Sequence, residues 1–306
     1  MANIIFMGTP EFAVPSLQAL HREFGVQTVV TVPDKPRGRG LEVHPSEVKS
    51  AALELGITDI LQPTSLRDEE FRQQIADRAP DIMCVIAFRI LPKSIYTIAC
   101  KGAFNVHASL LPRFRGAAPI NHAIMSGDAE TGVTSFLLND VVDTGTILLQ
   151  QRCAIDDGMT AGELYARLMP LAAECAVATT RGLLDATLTP LPQDDARATP
   201  APKVFRTTSA IDLTQSRHVV RNMIHGLSPT PCAWITWNGQ LLKVYHATLT
   251  DGATPMGTWR IDAHQLLIGC ADGELRFDEI QLPGKRRMSA VDVLRGYRGD
   301  QSGLCT

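Results

Sequence analysis

Short apolar runs that end in loop-forming residues, separated by helical segments of about ten residues, fill the first half of this 306-residue chain. Such alternation constrains the fold more than any other feature, because parallel strands need a crossover segment between them and that segment is usually a helix. Residues 3–7 form an apolar run ended by Gly8-Thr9-Pro10, and Pro15, Leu17, Leu20 and Phe24 then give a helix with one apolar face, closed by Gly25. Residues 26–32 read as the second strand. Ser46 caps a helix running to Leu55, and Ser65 opens another that contains Phe71 and Ile75. Strand-like runs return at 81–88, 103–108 and 133–138. The expected first domain is therefore α/β and Rossmann-like, with a mostly parallel sheet. Ligands of such sheets bind beyond the carboxyl ends of the strands. Candidate chemistry is sought at Gly8 to Glu11, after Phe88, around Asn105 to Gly116, and near Asp143.

A long helical stretch at 161–188 precedes a change of character. Residues 189–203 carry Pro190, Pro192, Pro200 and Pro202 among Asp194, Asp195 and Arg197, the composition of an extended, exposed linker. Beyond it a helix at 215–225 precedes five short strands, at 233–237, 241–247, 257–261, 265–270 and 274–281, with Asn238-Gly239 as a type I′ hairpin signal. A small OB-like β-barrel is expected there. The organisation read from these signals is a catalytic domain over 1–188, a linker over 189–203 and a second domain over 204–306. With 45% hydrophobic and 20% charged residues the chain can bury a large core. Seven scattered cysteines without a C-x-x-C pair predict neither a disulfide framework nor a Cys-rich zinc site. The N-terminus has no basic segment followed by a long apolar one, and no run approaches the roughly 18 apolar residues of a membrane span. A cytoplasmic protein is expected.

Within residues 103–108, strand alternation puts Asn105 and His107 on one face, with Ser109 beyond them. A buried amide and imidazole need partners or a function, since leaving either unpaired costs roughly 1–3 kcal/mol. Asp143 lies in Asp143-Thr144-Gly145, a pattern that is commonly a turn whose carboxylate bonds its own backbone. Converging in one crevice, the three would suit acyl transfer: the amide and a protonated imidazole stabilise a developing oxyanion, and the carboxylate orients the ring. No serine or cysteine sits in a nucleophile motif, so the attacking group belongs to the substrate. Gly8-Thr9-Pro10 lacks the remaining glycines of a dinucleotide fingerprint. The basic loop from Lys35 through Arg37 to Arg39, and the cluster Lys285-Arg286-Arg287, read either as solvated surface or as phosphate contacts.

At these residues the chain resembles the methionyl-tRNA formyltransferases along its whole length. The marks are Gly8-Thr9-Pro10-Glu11-Phe12-Ala13-Val14-Pro15, Asn105-Val106-His107-Ala108-Ser109-Leu110-Leu111-Pro112, Arg115-Gly116-Ala117-Ala118-Pro119-Ile120 and Asp143-Thr144-Gly145. Ala201-Pro202-Lys203 and Lys285-Arg286-Arg287-Met288-Ser289-Ala290 extend the resemblance through the second domain. It implies transfer of formyl from 10-formyltetrahydrofolate to the α-amine of methionyl-initiator tRNA, for translation initiation, without a metal. Asn105, His107 and Asp143 are then the catalytic trio. Ser109, Leu110, Leu111 and Pro112 lie against the folate, as does the segment Phe88, Arg89, Ile90 and Leu91. Lys35, Arg37, Arg39, Lys203, Lys285, Arg286 and Arg287 contact tRNA, and the enzyme is a monomer. Where the common family pattern is close to Ala-Tyr-Gly-Gln-Ile-Leu-Pro, this chain reads Ala87-Phe88-Arg89-Ile90-Leu91-Pro92, one residue shorter.

Formylation of an amino sugar nucleotide, hydrolytic release of formate from the same folate, and RNA binding by a catalytically silent relic are the competing readings. The net charge of -3 argues against a polyanionic partner only until it is divided. Residues 1–202 hold 17 basic and 23 acidic side chains, a net of -6, whereas residues 203–306 hold 12 and 9, a net of +3.

Overall fold

The computed structural model describes residues 2–37 and 42–305. The chain divides into two compact units: Met1–Gly116, Thr131–Cys153 and Tyr165–Pro200 form the first, and Ala117–Glu130, Ala154–Leu164 and Ala201–Thr306 the second.

The first unit is built on a seven-stranded sheet. Its strands are β1 (Ile4–Gly8), β2 (Val26–Val30), β5 (Ile60–Leu61), β6 (Ile82–Ile86), β7 (Gly102–His107), β8 (Glu130–Leu137) and β9 (Ile147–Ala154), in the order β5-β2-β1-β6-β7-β8-β9. Pairings β1–β2, β1–β6, β2–β5 and β6–β7 are parallel, and β7–β8 is antiparallel. Every residue of β1 and β6 is buried, the pattern of strands covered on both faces. Helices α1 (Val14–Phe24), α2 (Glu47–Glu54), α3 (Glu69–Asp77) and the short α4 (Lys93–Tyr96) make the crossovers. The capping chemistry explains their ends. Pro15 lies in the first turn of α1 and Gly25 closes it at φ +75°, while the Ser46 hydroxyl accepts from the Lys49 N–H at the start of α2. Helix α3 starts after Asp68, four residues later than the sequence suggests, because Ser65 bonds only the Arg67 N–H and makes a separate turn. The order reverses between β1 and β6, so the carboxyl ends of β1 and β6 flank a topological switch point, with β7 beside them.

Lys35 to Arg37, expected in a loop, is instead strand β3 (Lys35–Arg37), antiparallel to β4 (Glu42–His44). Asp34 anchors its base, accepting from Lys49 Nζ at 2.6 Å and Gln62 Nε2 at 2.7 Å, and these bonds hold its carboxyl below the usual range. Arg39 lies outside the described residues.

The long helix α6 (Ala161–Leu184) follows β9. On it, Leu168, Ala172, Cys175, Ala176 and Thr179 recur on one buried face, and Thr179 Oγ1 donates to Ser135 Oγ of β8 at 2.6 Å. The segment after α6 does not hang free. Leu191 exchanges both backbone hydrogen bonds with Ile147, and Pro200 bridges Arg115.

In the second unit, α5 (Pro119–Met125) and α7 (Arg217–Gly226) accompany a curled sheet. Its strands β10 (Ala233–Trp237), β11 (Gln240–Thr250), β12 (Thr258–Asp262), β13 (Gln265–Cys270), β14 (Gly273–Gln281) and β16 (Ser302–Leu304) are ordered β10-β11-β14-β13-β12-β16. The short β15 (Met288–Ser289) pairs with β14, and α8 (Ala290–Arg295) follows it. A bridge between Trp237 and Cys305 joins the two ends of the sheet, closing it into a small antiparallel barrel. Asn238 and Gly239 both have positive φ, as a type I′ turn demands. Trp237, Trp259 and Phe277 fill the interior with Ile224 of α7 and Leu294 of α8.

Candidate active site

Strand β7 delivers Asn105 and His107 to the same side at its carboxyl end, two residues apart. Asn105 is half-buried, and its side chain bonds no other described residue. His107 is 8% exposed and Asp143 9%, so this polar pair lies out of bulk water.

The ring of His107 is fixed at one end. Nε2 lies 2.8 Å from the Phe114 carbonyl, an acceptor, so Nε2 carries the proton. Nδ1 faces Asp143 Oδ2 at 3.8 Å, beyond hydrogen-bond reach. Nδ1 is thus the nitrogen open to a reacting group. It becomes a donor only when the ring holds both protons, and it then forms an ion pair with Asp143.

Asp143 does not bond its own turn. Its Oδ2 accepts the Gly116 N–H at 2.9 Å, from 27 residues away, while Asn139 and Thr144 make the local bonds. Asp143 has φ +57° and Phe114 φ +59°. A side chain at such angles costs on the order of 1 kcal/mol, a strain that persists only where surrounding bonds hold it. Gly145 is obligatory in this loop: a Cβ there would sit 1.6 Å from the Leu137 carbonyl oxygen.

Ser109 to Pro112 leave β7 in an irregular path with a cis Leu111–Pro112 bond. Ser109 is fully buried and donates to the Arg113 carbonyl at 2.6 Å. Thr134 of β8, buried, donates to the Ser109 carbonyl at 2.7 Å and accepts the Leu111 N–H at 3.0 Å. Gln150 of β9 donates to the Leu111 carbonyl and to Thr134 Oγ1, each at 2.9 Å. The loop's backbone is held from beneath.

The segment after β6 divides in two. Arg89 turns back onto the carbonyls of Pro63 (2.8 Å) and Thr64 (3.0 Å) and stacks over Phe88, and partial burial lowers its pKa. Leu91 is buried with Ile95 and Phe71 in the core, whereas Ile90 is 75% exposed. The arginine in the shortened stretch therefore braces its own loop against the neighbouring one.

The basic residues have different surroundings. Lys35 is exposed on the β3–β4 hairpin, with Arg37 at the last position of β3. In the second unit Lys203 lies over the Phe205 ring, and Lys285 and Arg286 are exposed in the turn after β14. Arg287 is paired with Glu279 and lies over Tyr245, which raises its pKa. Among the described residues no group of three or more His, Cys, Asp or Glu side chains is placed to hold a metal ion.

Phe114, Thr134 and Gln150 escaped the sequence reading. Phe114 acts through a backbone carbonyl, which leaves no mark in a sequence. The other two are single polar residues in or beside segments that read as strand.

An amide, an imidazole and a carboxylate lie at the carboxyl edge of a mostly parallel sheet, an arrangement suited to group transfer of the acyl class. Comparison with known proteins gives that class a family. The formyl transferase profile matches residues 2–180, and the profile of the formyl transferase C-terminal domain matches 203–298. A methionyl-tRNA formyltransferase of Chlorobium luteolum is 42% identical over 97% of both chains, and one of Porphyromonas gingivalis is 41% identical over 96% of this chain and 95% of its own. The chain belongs to the formyl transferase family and, within it, to the methionyl-tRNA formyltransferases. At the level of fold it is similar to WlaRD, a sugar 3N-formyl transferase, with a TM-score of 0.70 and 18% identity over 94% of this chain and 99% of that one. Aquifex aeolicus HypX is also similar, with a TM-score of 0.63 and 16% identity over 95% of this chain and 46% of its own. No helix among the described residues is long and apolar enough to cross a membrane.

Proposed function

We propose that this chain transfers the formyl group of 10-formyltetrahydrofolate to the α-amine of methionyl-initiator tRNA, in translation initiation. The observation that carries the reading is the near-full-length identity of 42% to a methionyl-tRNA formyltransferase, with Asn105, His107 and Asp143 at one strand edge. Likeness to the sugar formyltransferase is a likeness of fold at 18% identity, so it does not extend to the acceptor.

The geometry supports the following roles. The free amine attacks the formyl carbon, a C–N bond forms, and negative charge develops on the formyl oxygen. Asn105 donates to that oxygen from its side-chain amide. His107, with its ring holding both protons, donates from Nδ1, since Nε2 is committed to Phe114. Asp143 faces the same nitrogen and takes the proton released by the amine, directly or through water; the oxyanion then collapses, the bond from the formyl carbon to the folate nitrogen breaks, and that nitrogen takes up the proton, which returns Asp143 to a carboxylate.

Ser109, Leu110, Leu111 and Pro112, with Phe88, Arg89, Ile90 and Leu91, are assigned to the folate pocket. In that assignment Arg89 and Leu91 shape the loop and Ile90 offers its exposed apolar side chain. Residues 1–188 would act as the catalytic domain, 189–203 as the connection and 204–306 as the tRNA-binding domain, with Lys35, Arg37, Arg39, Lys203, Lys285, Arg286 and Arg287 as phosphate contacts. The chain is proposed to work as a monomer in the cytoplasm. Incubation with 10-formyltetrahydrofolate and either methionyl-initiator tRNA or amino sugar nucleotides tests the choice of acceptor. Formyl should appear on the tRNA-borne methionine; formyl on the amino sugar alone would overturn the proposal.

A further inference from the structure

The segment that composition marks as an exposed linker reaches into the acyl-transfer site through one side chain. Gln193 is half-buried. Its Nε2 donates to the backbone carbonyls of Asp143 at 2.9 Å and Gly145 at 2.8 Å. Its Oε1 accepts from Arg115 Nε at 3.0 Å and Nη2 at 2.7 Å. Both N–H groups and both lone pairs of the amide are therefore engaged, which only a primary amide of this length does at once.

The two backbone stretches joined in this way carry the positive-φ residues that meet His107. Phe114, next to Arg115, gives its carbonyl to His107 Nε2, and Asp143 presents its carboxylate to His107 Nδ1. Neighbouring bonds extend the attachment: Thr199 Oγ1 accepts the Phe114 N–H at 2.9 Å, the Thr199 carbonyl accepts the Arg115 N–H at 2.9 Å, and Asp195 pairs with Arg115 at 2.7 Å. Such bonding is more than a solvated connection needs.

From this we infer that Gln193 is a positioning residue for formyl transfer: it holds the Asp143 backbone and the Phe114–Gly116 stretch in register, and so sets the approach of Asp143 to His107. The inference rests on the catalytic reading of Asp143 given above. Gln193 touches neither ring nor carboxylate, so its effect on rate passes through Asp143.

Gln193→Met keeps the length of the side chain and removes all four hydrogen bonds. In single-turnover formylation of methionyl-tRNA it should slow transfer by about 10- to 100-fold, with folate and tRNA dissociation constants within about threefold of the parent. In an Asp143→Asn background the same change should slow transfer by less than about threefold, because the group it positions is already lost. A Gln193→Met rate within twofold of the parent overturns the inference. So does a full 10- to 100-fold loss that persists beside Asp143→Asn, since that describes general loosening. Should Gln193→Met fail to fold, Gln193→Glu retains the acceptor for Arg115 and removes only the donors to the two carbonyls; it should slow transfer comparably, and a parent-like rate overturns the inference. If Asp143→Asn alone leaves the rate unchanged, the catalytic reading and this inference fall together; if Asp143→Asn slows transfer and Gln193→Met does not, only this inference falls.

Discussion

His107 can offer the substrate only Nδ1, because the Phe114 carbonyl holds its other nitrogen. In the proposed mechanism this makes turnover depend on the placement of Asp143, the group facing Nδ1. The placement depends in turn on Gly145. Gly145→Ala puts a methyl against the Leu137 carbonyl, which belongs to a strand and cannot move aside. The loop must shift instead, and formylation should fall by about 10²-fold, the cost of roughly 1 Å of misplacement. Measuring kcat beside Tm checks this; unchanged kcat would mean the Asp143 loop tolerates displacement. Asn105 and His107 were legible in the sequence because strand alternation alone puts them on one face. Asp143 was legible as a residue but not in its bonding: its partner is the backbone of Gly116, 27 positions away. Gln193 had no sequence signal at all, since its partners are two backbone carbonyls and an arginine 78 positions away.

Helix α7 packs against β11 through two stacked histidines, His225 and His246, with ring centroids 4.5 Å apart. Their protonation preferences oppose each other. Burial, then the neighbouring His246 and Arg221 charges, push His225 down to about 4, and its Nε2 accepts the Ala247 N–H. Asp278, also bonded to Thr248 and Arg276, raises His246 by hydrogen bonding. Between the ordinary 6.5 and about 4 the unfolded chain binds a proton at His225 that the folded chain refuses. This stabilisation is therefore complete above the unfolded value and declines as pH falls. Relative to His225→Gln, the parent should lose about 2 kcal/mol of unfolding free energy between pH 7 and pH 5. Parallel pH profiles in denaturant titrations would show that His225 does not titrate in this way. The contribution of His246 has the opposite sign, present at low pH and lost as pH rises through its raised value. Most elements were readable from apolar runs and caps, including the Asn238-Gly239 turn. Among those that were not, β5 is two residues long, α4 is four, and the turn at Ala263-His264 takes positive φ at both residues without a glycine. Lys35 to Arg37 reads as loop because Pro36 and the flanking glycines hide a three-residue strand.

For the whole molecule, the overall charge of -3 conceals a basic segment over residues 203–306, and this division allows an acidic enzyme to hold a polyanion. If the barrel's Lys285 and Arg286, with Lys203 and Lys35, hold phosphates, tRNA affinity should fall roughly 10- to 100-fold between about 50 and 200 mM salt. Filter binding across that range would count against phosphate contacts if affinity stayed flat. Arg287, already paired with Glu279, should contribute less than Arg286 to that slope. That a small β-barrel follows the α/β part was legible in the five short strands and their turns, whereas the bridge from Trp237 to Cys305 that closes it leaves no mark in the sequence. The most direct measurement is single-turnover formylation of methionyl-initiator tRNA by His107→Ala, with folate and tRNA affinities determined on the same variant. Transfer should slow by about 10² to 10³-fold, the usual cost of one oxyanion donor, with tRNA affinity unchanged. Near-parental transfer at saturating substrates would contradict the assignment of Asn105, His107 and Asp143 as the site of formyl transfer.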